Sequence, residues 1–260
     1  MTEPRLQQGV ILDLASIDTG DVDLSGLERV CAHWHRYPST RPDQTKARIA
    51  DAEVVVTNKV VVDRERMDAA PGLRLICVAA TGTNNVDLAA ARARGIAVAN
   101  VTGYATPAVV QHVFAMMLSW AARLWDQHRS VRDGAWSASE HFCLLGQPVR
   151  ELCGKRLGII GYGELGRAVG KIAEAFGMQV LIAERPGGPP QAGRIPLSEL
   201  LRQAHVLTLH CPLADNTRGL IGAAELAAMR DDALLINTAR GGIIDEQALA
   251  DALRAGRPAA

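Results

Sequence analysis

Gly161, Gly163 and Gly166 stand in the hexapeptide Gly161-Tyr162-Gly163-Glu164-Leu165-Gly166, after an apolar run (Arg156 to Ile160) and before a helical pattern (Leu165 to Phe176). That spacing suits the binding of a dinucleotide pyrophosphate. One glycine permits a tight turn, the next lets backbone approach the phosphates, and the third lets helix pack close to strand. The first-turn N–H groups, at Glu164 and Leu165, are then left to face phosphate oxygens. A lone motif of this kind carries little weight, because glycine-rich turns are common. The following run, Gln179 to Ala183, adds to it by leading into Glu184, 18 residues after Gly166. A carboxylate roughly 20 residues on is where the adenosine ribose hydroxyls are held. It also repels a 2′-phosphate, so NAD (NADH) is expected in preference to NADP. Arg185 and Arg194 weaken that preference, and a plain surface position for Glu184 is the alternative.

The other reactive side chains are less informative alone. His112 falls mid-helix, where a packed histidine is the ordinary outcome. His33-x-His35 has strand spacing without a third ligand nearby, so no metal is expected. The five cysteines (Cys31, Cys77, Cys143, Cys153, Cys211) are odd in number and scattered. They point to a reducing, cytoplasmic setting rather than a disulfide framework.

Positioning these residues falls to alternating strands and helices. Strand-like runs lie at Val10 to Leu14, Val30 to His33, Glu53 to Val56 and Leu73 to Ala79, with helical patterns at Asp43 to Ala50, Arg64 to Ala69 and Val86 to Arg94 between and after them. Thr106 to His128 is a long apolar stretch and reads as one buried helix. Asp133 to Pro148 reads as loop. A second series follows, with strands at Arg156 to Ile160, Gln179 to Ala183, Val206 to Leu209 and Ala233 to Asn237, and helices at Leu165 to Phe176, Leu197 to Gln203, Ala223 to Met229 and Glu246 to Ala255. Such alternation implies an α/β fold of two Rossmann-like or flavodoxin-like domains, each a mostly parallel sheet with helices on both faces. The halves join near residues 100 to 106.

Lys plus Arg equal Asp plus Glu at 28 each, so no net field recruits nucleic acid or an anionic membrane. No apolar run reaches the roughly 18 residues needed to span a bilayer, and Met1 to Gln8 lacks the apolar core of a signal peptide.

Three blocks together resemble the D-isomer-specific 2-hydroxyacid dehydrogenases, with the glycerate dehydrogenase (hydroxypyruvate reductase) branch the most similar. They are Ala79 to Leu118, the glycine loop with its strand, and Val206 to Leu253. The resemblance implies a substrate-binding domain over residues 1–101 and an NAD-binding domain over 102–260. It implies that Arg240, in Asn237-Thr238-Ala239-Arg240-Gly241-Gly242, is the catalytic arginine. A guanidinium there suits the task, since it can hold a 2-oxo acid's carboxylate and polarise its ketone. An inter-domain salt-bridge arginine is the plainer alternative. The N–H groups of Thr81, Gly82 and Thr83 resemble the family's carboxylate-binding loop, and Asn58 with Lys59 another wall of the substrate pocket. Thr106 is implied near the nicotinamide, together with Thr217 and the backbone around His210, Cys211, Pro212, Thr238 and Ala239. Cys211 reads as a small buried residue rather than a nucleophile. The implied assembly is a homodimer formed through the Thr106 to His128 helix and the loop after it.

One departure stands out. The family's acid/base is a histidine in a Pro-His pair, held by a glutamate in a Glu-Pro segment. This sequence has no Pro-His pair, its only Glu-Pro is Glu3-Pro4, and His210 is the sole weak substitute. The chain ends at Ala260, before the family's last strands, so a truncated or degenerate copy with weak NADH binding and little turnover is expected. An unpaired sheet edge after Asn237 is expected as well. The expected reaction interconverts hydroxypyruvate or glyoxylate with glycerate or glycolate. Another small acid or oxyanion (D-lactate, 3-phosphoglycerate, phosphite) stays open. So does an NAD-sensing binding module like the family's corepressor relatives.

Overall fold

In the first half, β1 (Leu6–Ile11), β2 (Cys31–Arg36), β3 (Val54–Thr57), β4 (Leu75–Val78) and β5 (Ala97–Asn100) form one sheet in the order β2-β1-β3-β4-β5. Every neighbouring pair is parallel. The computed structural model describes residues 6–146, 148–258 and 260, so Glu3-Pro4 lies outside the described residues. The chain divides into compact units at Tyr104 and Ala105, each treated separately below.

Parallel strands need crossovers, and α1 (Thr45–Ile49), α2 (Arg64–Asp68) and α3 (Leu88–Ala93) lie in them. Local chemistry sets their ends. Asp63 accepts from the Arg66 N–H and Asp87 from the Ala90 N–H, satisfying donors that a helix start leaves open. Gly95 follows α3 at φ +69°, a left-handed position that favours glycine. Val10, Leu12, Val55, Ile76 and Val78 pack with Ile49, Met67 and Ala90 as the core of this unit. The sequence carries little strand signal at β5, because Ala97-Val98-Ala99-Asn100 is a short and largely exposed edge with little β-branched content.

The second unit repeats the plan. It contains β6 (Arg156–Ile160), β7 (Gln179–Ile182), β8 (Val206–Leu209) and β9 (Leu234–Asn237), ordered β7-β6-β8-β9 and again all parallel. Strand β8 is buried at all four positions, as a parallel strand covered on both faces must be. Leu157 and Ile159 pack with Val113 and Met117 of α4 (Thr106–Ala121) and Val169 and Ala173 of α6 (Glu164–Ala175). Ile160 and Leu207 pack on the other side with Leu200 and Leu201 of α7 (Leu197–Gln203) and Leu226 of α8 (Ala223–Ala228). The last helix, α9 (Glu246–Arg254), starts from Asp245, whose carboxylate accepts from the Gln247 and Ala248 N–H groups.

Two expectations are corrected. Thr106 to His128 is two helices: α4 ends at Ala121, and α5 (Leu124–Arg132) follows Arg123 in a left-handed conformation at φ +50°. The stretch is also only partly buried. Val113, Phe114, Met117 and Ala121 are covered, whereas α5 buries nothing and Trp125 is 70% exposed. Apolar composition alone does not tell which side of a helix finds a partner. The outer edge of β9 is not wholly unpaired either, because Leu235 N–H donates to the Ala260 carbonyl at 2.8 Å and Ala260 N–H donates back to Ala233 at 3.4 Å.

Candidate active site

In an open α/β sheet, ligands sit beyond the carboxyl ends of the strands, where the strand order reverses. In the second unit that point lies between β6 and β8. The glycine loop follows β6 and His210-Cys211 follows β8, so the two segments meet there.

The three glycines do three different jobs. Gly161 has φ +91°, and a Cβ on it would stand 2.5 Å from the His210 carbonyl carbon. A Cβ on Gly166 would collide with the Gly161 carbonyl oxygen. Gly163 caps α6 with no side chain, and a Cβ there would meet nothing within 4 Å. The N–H groups of Gly163, Glu164 and Leu165 donate to no atom of the described residues. Free donors, open space and a helix N-terminus together make a cradle for phosphate. The Thr106 hydroxyl donates to the Glu164 carboxylate, tying the start of α4 to the first turn of α6.

Among the described residues, two polar atoms at the carboxyl ends of β8 and β9 are buried without a partner: His210 Nδ1, beside the Gly161 turn, and Thr238 Oγ1. Each costs roughly 1–3 kcal/mol if left unpaired, so a polar ligand with groups for both fits the site. His210 Nε2 is 3.0 Å from the Thr208 hydroxyl. Burial lowers the pKa of His210 to about 4, which keeps the ring neutral at pH 7 and unsuited to donating a proton as imidazolium.

Glu184 follows β7, half-buried, its N–H donating to Ile195, and its carboxylate has no ion pair among the described residues. Arg194 is turned onto the Ala183 carbonyl, 3.4 Å from Nη1, and Arg185 is exposed. Thr217 is buried, and its hydroxyl links Pro212 and Ala214, bracing the loop that begins at Cys211. Cys211 is buried and its thiol pKa is raised by that burial, so it is no nucleophile.

Arg240 is exposed and takes part in no ion pair among the described residues. Its backbone is held by a residue the sequence reading gave no role. Asn237 Nδ2 donates to the Arg240 carbonyl at 2.9 Å, and Asn237 Oδ1 accepts from Ala239 N–H at 3.0 Å. An asparagine at a strand end is the usual signal for such a turn.

In the first unit, the N–H groups of Thr81, Gly82 and Thr83 follow β4 and donate to no atom of the described residues. Asn100 Nδ2 holds the Thr81 carbonyl at 2.7 Å, and Thr83 accepts from Val86 N–H. The loop therefore presents three donors without partners among the described residues, while the Thr81 and Thr83 carbonyls are engaged. Asn58 is committed internally, its Nδ2 donating to Ser16 Oγ at 3.1 Å.

The model of the D-isomer specific 2-hydroxyacid dehydrogenase NAD-binding domain matches residues 114–260. The chain belongs to this family. It is an NAD-dependent oxidoreductase of the 2-hydroxyacid dehydrogenase type. A glycerate dehydrogenase of Methylorubrum extorquens is 43% identical over 224 residues, covering 86% of this chain and 70% of that protein. A hydroxypyruvate reductase of Blautia hydrogenotrophica is 38% identical over 257 residues, covering 96% of this chain and 80% of that protein. Among solved structures, D-lactate dehydrogenase from Aquifex aeolicus, complexed with NAD and lactic acid, matches with a TM-score of 0.80 at 27% identity. It covers 96% of this chain and 74% of that one. All five cysteines are free thiols, and among the described residues no helix is long and apolar enough to cross a membrane.

Proposed function

We propose that this 2-hydroxyacid dehydrogenase acts on hydroxypyruvate or glyoxylate, interconverting them with D-glycerate and glycolate. The observation that carries this reading is the phosphate cradle at Gly163 to Leu165, with two buried polar atoms unpaired among the described residues, in a chain similar over most of its length to a hydroxypyruvate reductase. Bound NADH supplies a hydride to the ketone carbon.

The residues of the chain orient and hold charge. Gly163, Glu164 and Leu165 donate N–H groups to the pyrophosphate, and Glu184 takes the ribose hydroxyls. His210 Nδ1 and Thr238 Oγ1 meet the polar edge of the nicotinamide, with Thr106, Cys211, Pro212, Thr217 and Ala239 lining that side. Thr81, Gly82 and Thr83 take the substrate carboxylate, an anion that three free N–H groups suit. Arg240 draws density from the ketone oxygen and stabilises the alkoxide that forms, which takes its proton from solvent water.

The enzyme is further proposed to be a homodimer. Residues on α5 and in the segment after it (Trp125, Val131, Trp136, Phe142, Leu145) are exposed apolar side chains close in sequence, a composition suited to an interface. Its free thiols suit the cytoplasm.

The test is a fluorescence titration with NADH, followed by steady-state rates with hydroxypyruvate, glyoxylate, pyruvate and 3-phosphohydroxypyruvate. Saturable NADH binding is expected, with low turnover in a sequence that has no Pro-His pair, and with kcat/KM highest for hydroxypyruvate or glyoxylate. A preference for pyruvate or the phosphorylated acid would assign a different substrate.

A further inference from the structure

The sheet of the first unit, ordered β2-β1-β3-β4-β5, has its own reversal between β1 and β3. Asp13 follows β1 and Asn58-Lys59 follows β3, so both lie at the point where such sheets receive ligands. Asp13 is only 6% exposed, yet no cation pairs with it among the described residues. Its charge is instead spread over two successive backbone donors. Asn58 N–H reaches Oδ1 at 2.9 Å, and Lys59 N–H reaches Oδ2 at 2.7 Å. The segment after Asp13 then returns to the same turn, because Ser16 receives the Asn58 side-chain amide through its carbonyl at 3.3 Å and its hydroxyl at 3.1 Å. Ser16 is itself tied to the Asp13 carbonyl. A carboxylate removed from water needs hydrogen bonds in place of its hydration. Here those bonds immobilise one two-residue turn.

We propose that Asp13 is a positioning residue for substrate binding: its carboxylate clamps the Asn58–Lys59 turn, leaving the exposed Lys59 ammonium, unpaired among the described residues, at the carboxyl edge of the sheet. The substrate class it serves is a small 2-oxo acid with a polar group beyond the ketone, and the inference rests on the substrate reading above.

The test compares wild type with Asp13→Asn and Ser16→Ala. Asp13→Asn faces an N–H donor with an amide NH2. Its hydroxypyruvate KM is expected to rise about tenfold, the size of one charged hydrogen bond lost, with kcat and the NADH Kd nearly unchanged. In 15N-edited NMR spectra, the Asn58 and Lys59 amide protons are expected to move upfield. Ser16→Ala sits on the surface and folds normally; it is expected to give a smaller KM rise with those amide shifts largely kept. Unchanged KM in both variants, or kcat and NADH affinity falling in step with KM, overturns the proposal while leaving the substrate reading intact. Wild type that shows no saturation by hydroxypyruvate overturns the substrate reading, and this inference with it.

Discussion

The carbonyl oxygen of Gly161 occupies the place where a side chain on Gly166 would have to go. The turn after β6 and the first turn of α6 are therefore in backbone contact, and the loop has no slack at either residue.

This separates the three glycines by experiment. Gly161→Ala and Gly166→Ala are expected to lower stability by more than about 1 kcal/mol, because one forces a positive φ on alanine and the other a collision with backbone. Gly163→Ala, at φ −81° with open space around it, is expected to leave Tm nearly unchanged while weakening NADH about tenfold or more. Thermal unfolding and NADH fluorescence check both. Equal loss of Tm in all three variants would refute the assignment of Gly163 to the phosphates.

Glu184 is expected to set the nucleotide preference. Glu184→Gln removes the charge that repels a 2′-phosphate while keeping the shape, so the NADH to NADPH affinity ratio should fall by about tenfold. Paired titrations with the two nucleotides measure it, and an unchanged ratio places the ribose elsewhere.

Arg240 takes part in no ion pair among the described residues, so its replacement is expected to spare the fold. Arg240→Met should leave Tm and NADH affinity close to wild type and lower kcat/KM for the 2-oxo acid by about 100-fold or more. Arg240→Lys should recover little, since an ammonium lacks the planar fork. Stability loss comparable to the loss of rate would contradict this.

Acid should weaken the second unit. Burial lowers the pKa of His210 from 6.5 to about 4, and burial with the nearby Arg230 and Lys155 charges lowers that of His205. His205 Nδ1 accepts the Arg156 N–H at 3.1 Å, a bond that protonation destroys. Both histidines hold fewer protons folded than unfolded below pH 6.5. The stability they contribute is whole above that pH and is lost as pH falls toward the folded pKa. For His210 the loss reaches about 3 kcal/mol near pH 4. Thermal unfolding from pH 7.5 to 4.5 should show the decline, and His210→Gln should flatten it.

The dimer is tested at the exposed apolar segment. Phe142→Asp, at a side chain 92% exposed, should not disturb folding but should halve the mass seen by sedimentation. A wild-type monomer would refute the assembly.

Much of this protein was legible without coordinates where local rules decide. The glycine spacing pointed to the dinucleotide turn, since at Gly161 and Gly166 only glycine tolerates the backbone approach. Asp63 and Asp245 each stand one residue before a helix, where a carboxylate satisfies donors within three residues of itself, whereas Asp87 lies inside the expected Val86 to Arg94 helix and is a cap only in the structure. The strands buried on both faces read as apolar runs, and their alternation with helices implied parallel sheets. What the sequence could not settle depended on partners distant in the chain. The long apolar stretch breaks at Arg123, and only its α4 half finds a core, which its composition did not show. His210 is held neutral by burial, and its unpaired Nδ1 is a property of its surroundings rather than of its neighbours in sequence. Asp13 falls inside the strand-like run Val10 to Leu14, and nothing beside it in sequence marks it out. Only the pairing of β1 with β3 brings it under Asn58 and Lys59, 45 and 46 residues away, where a single carboxylate can hold both N–H groups.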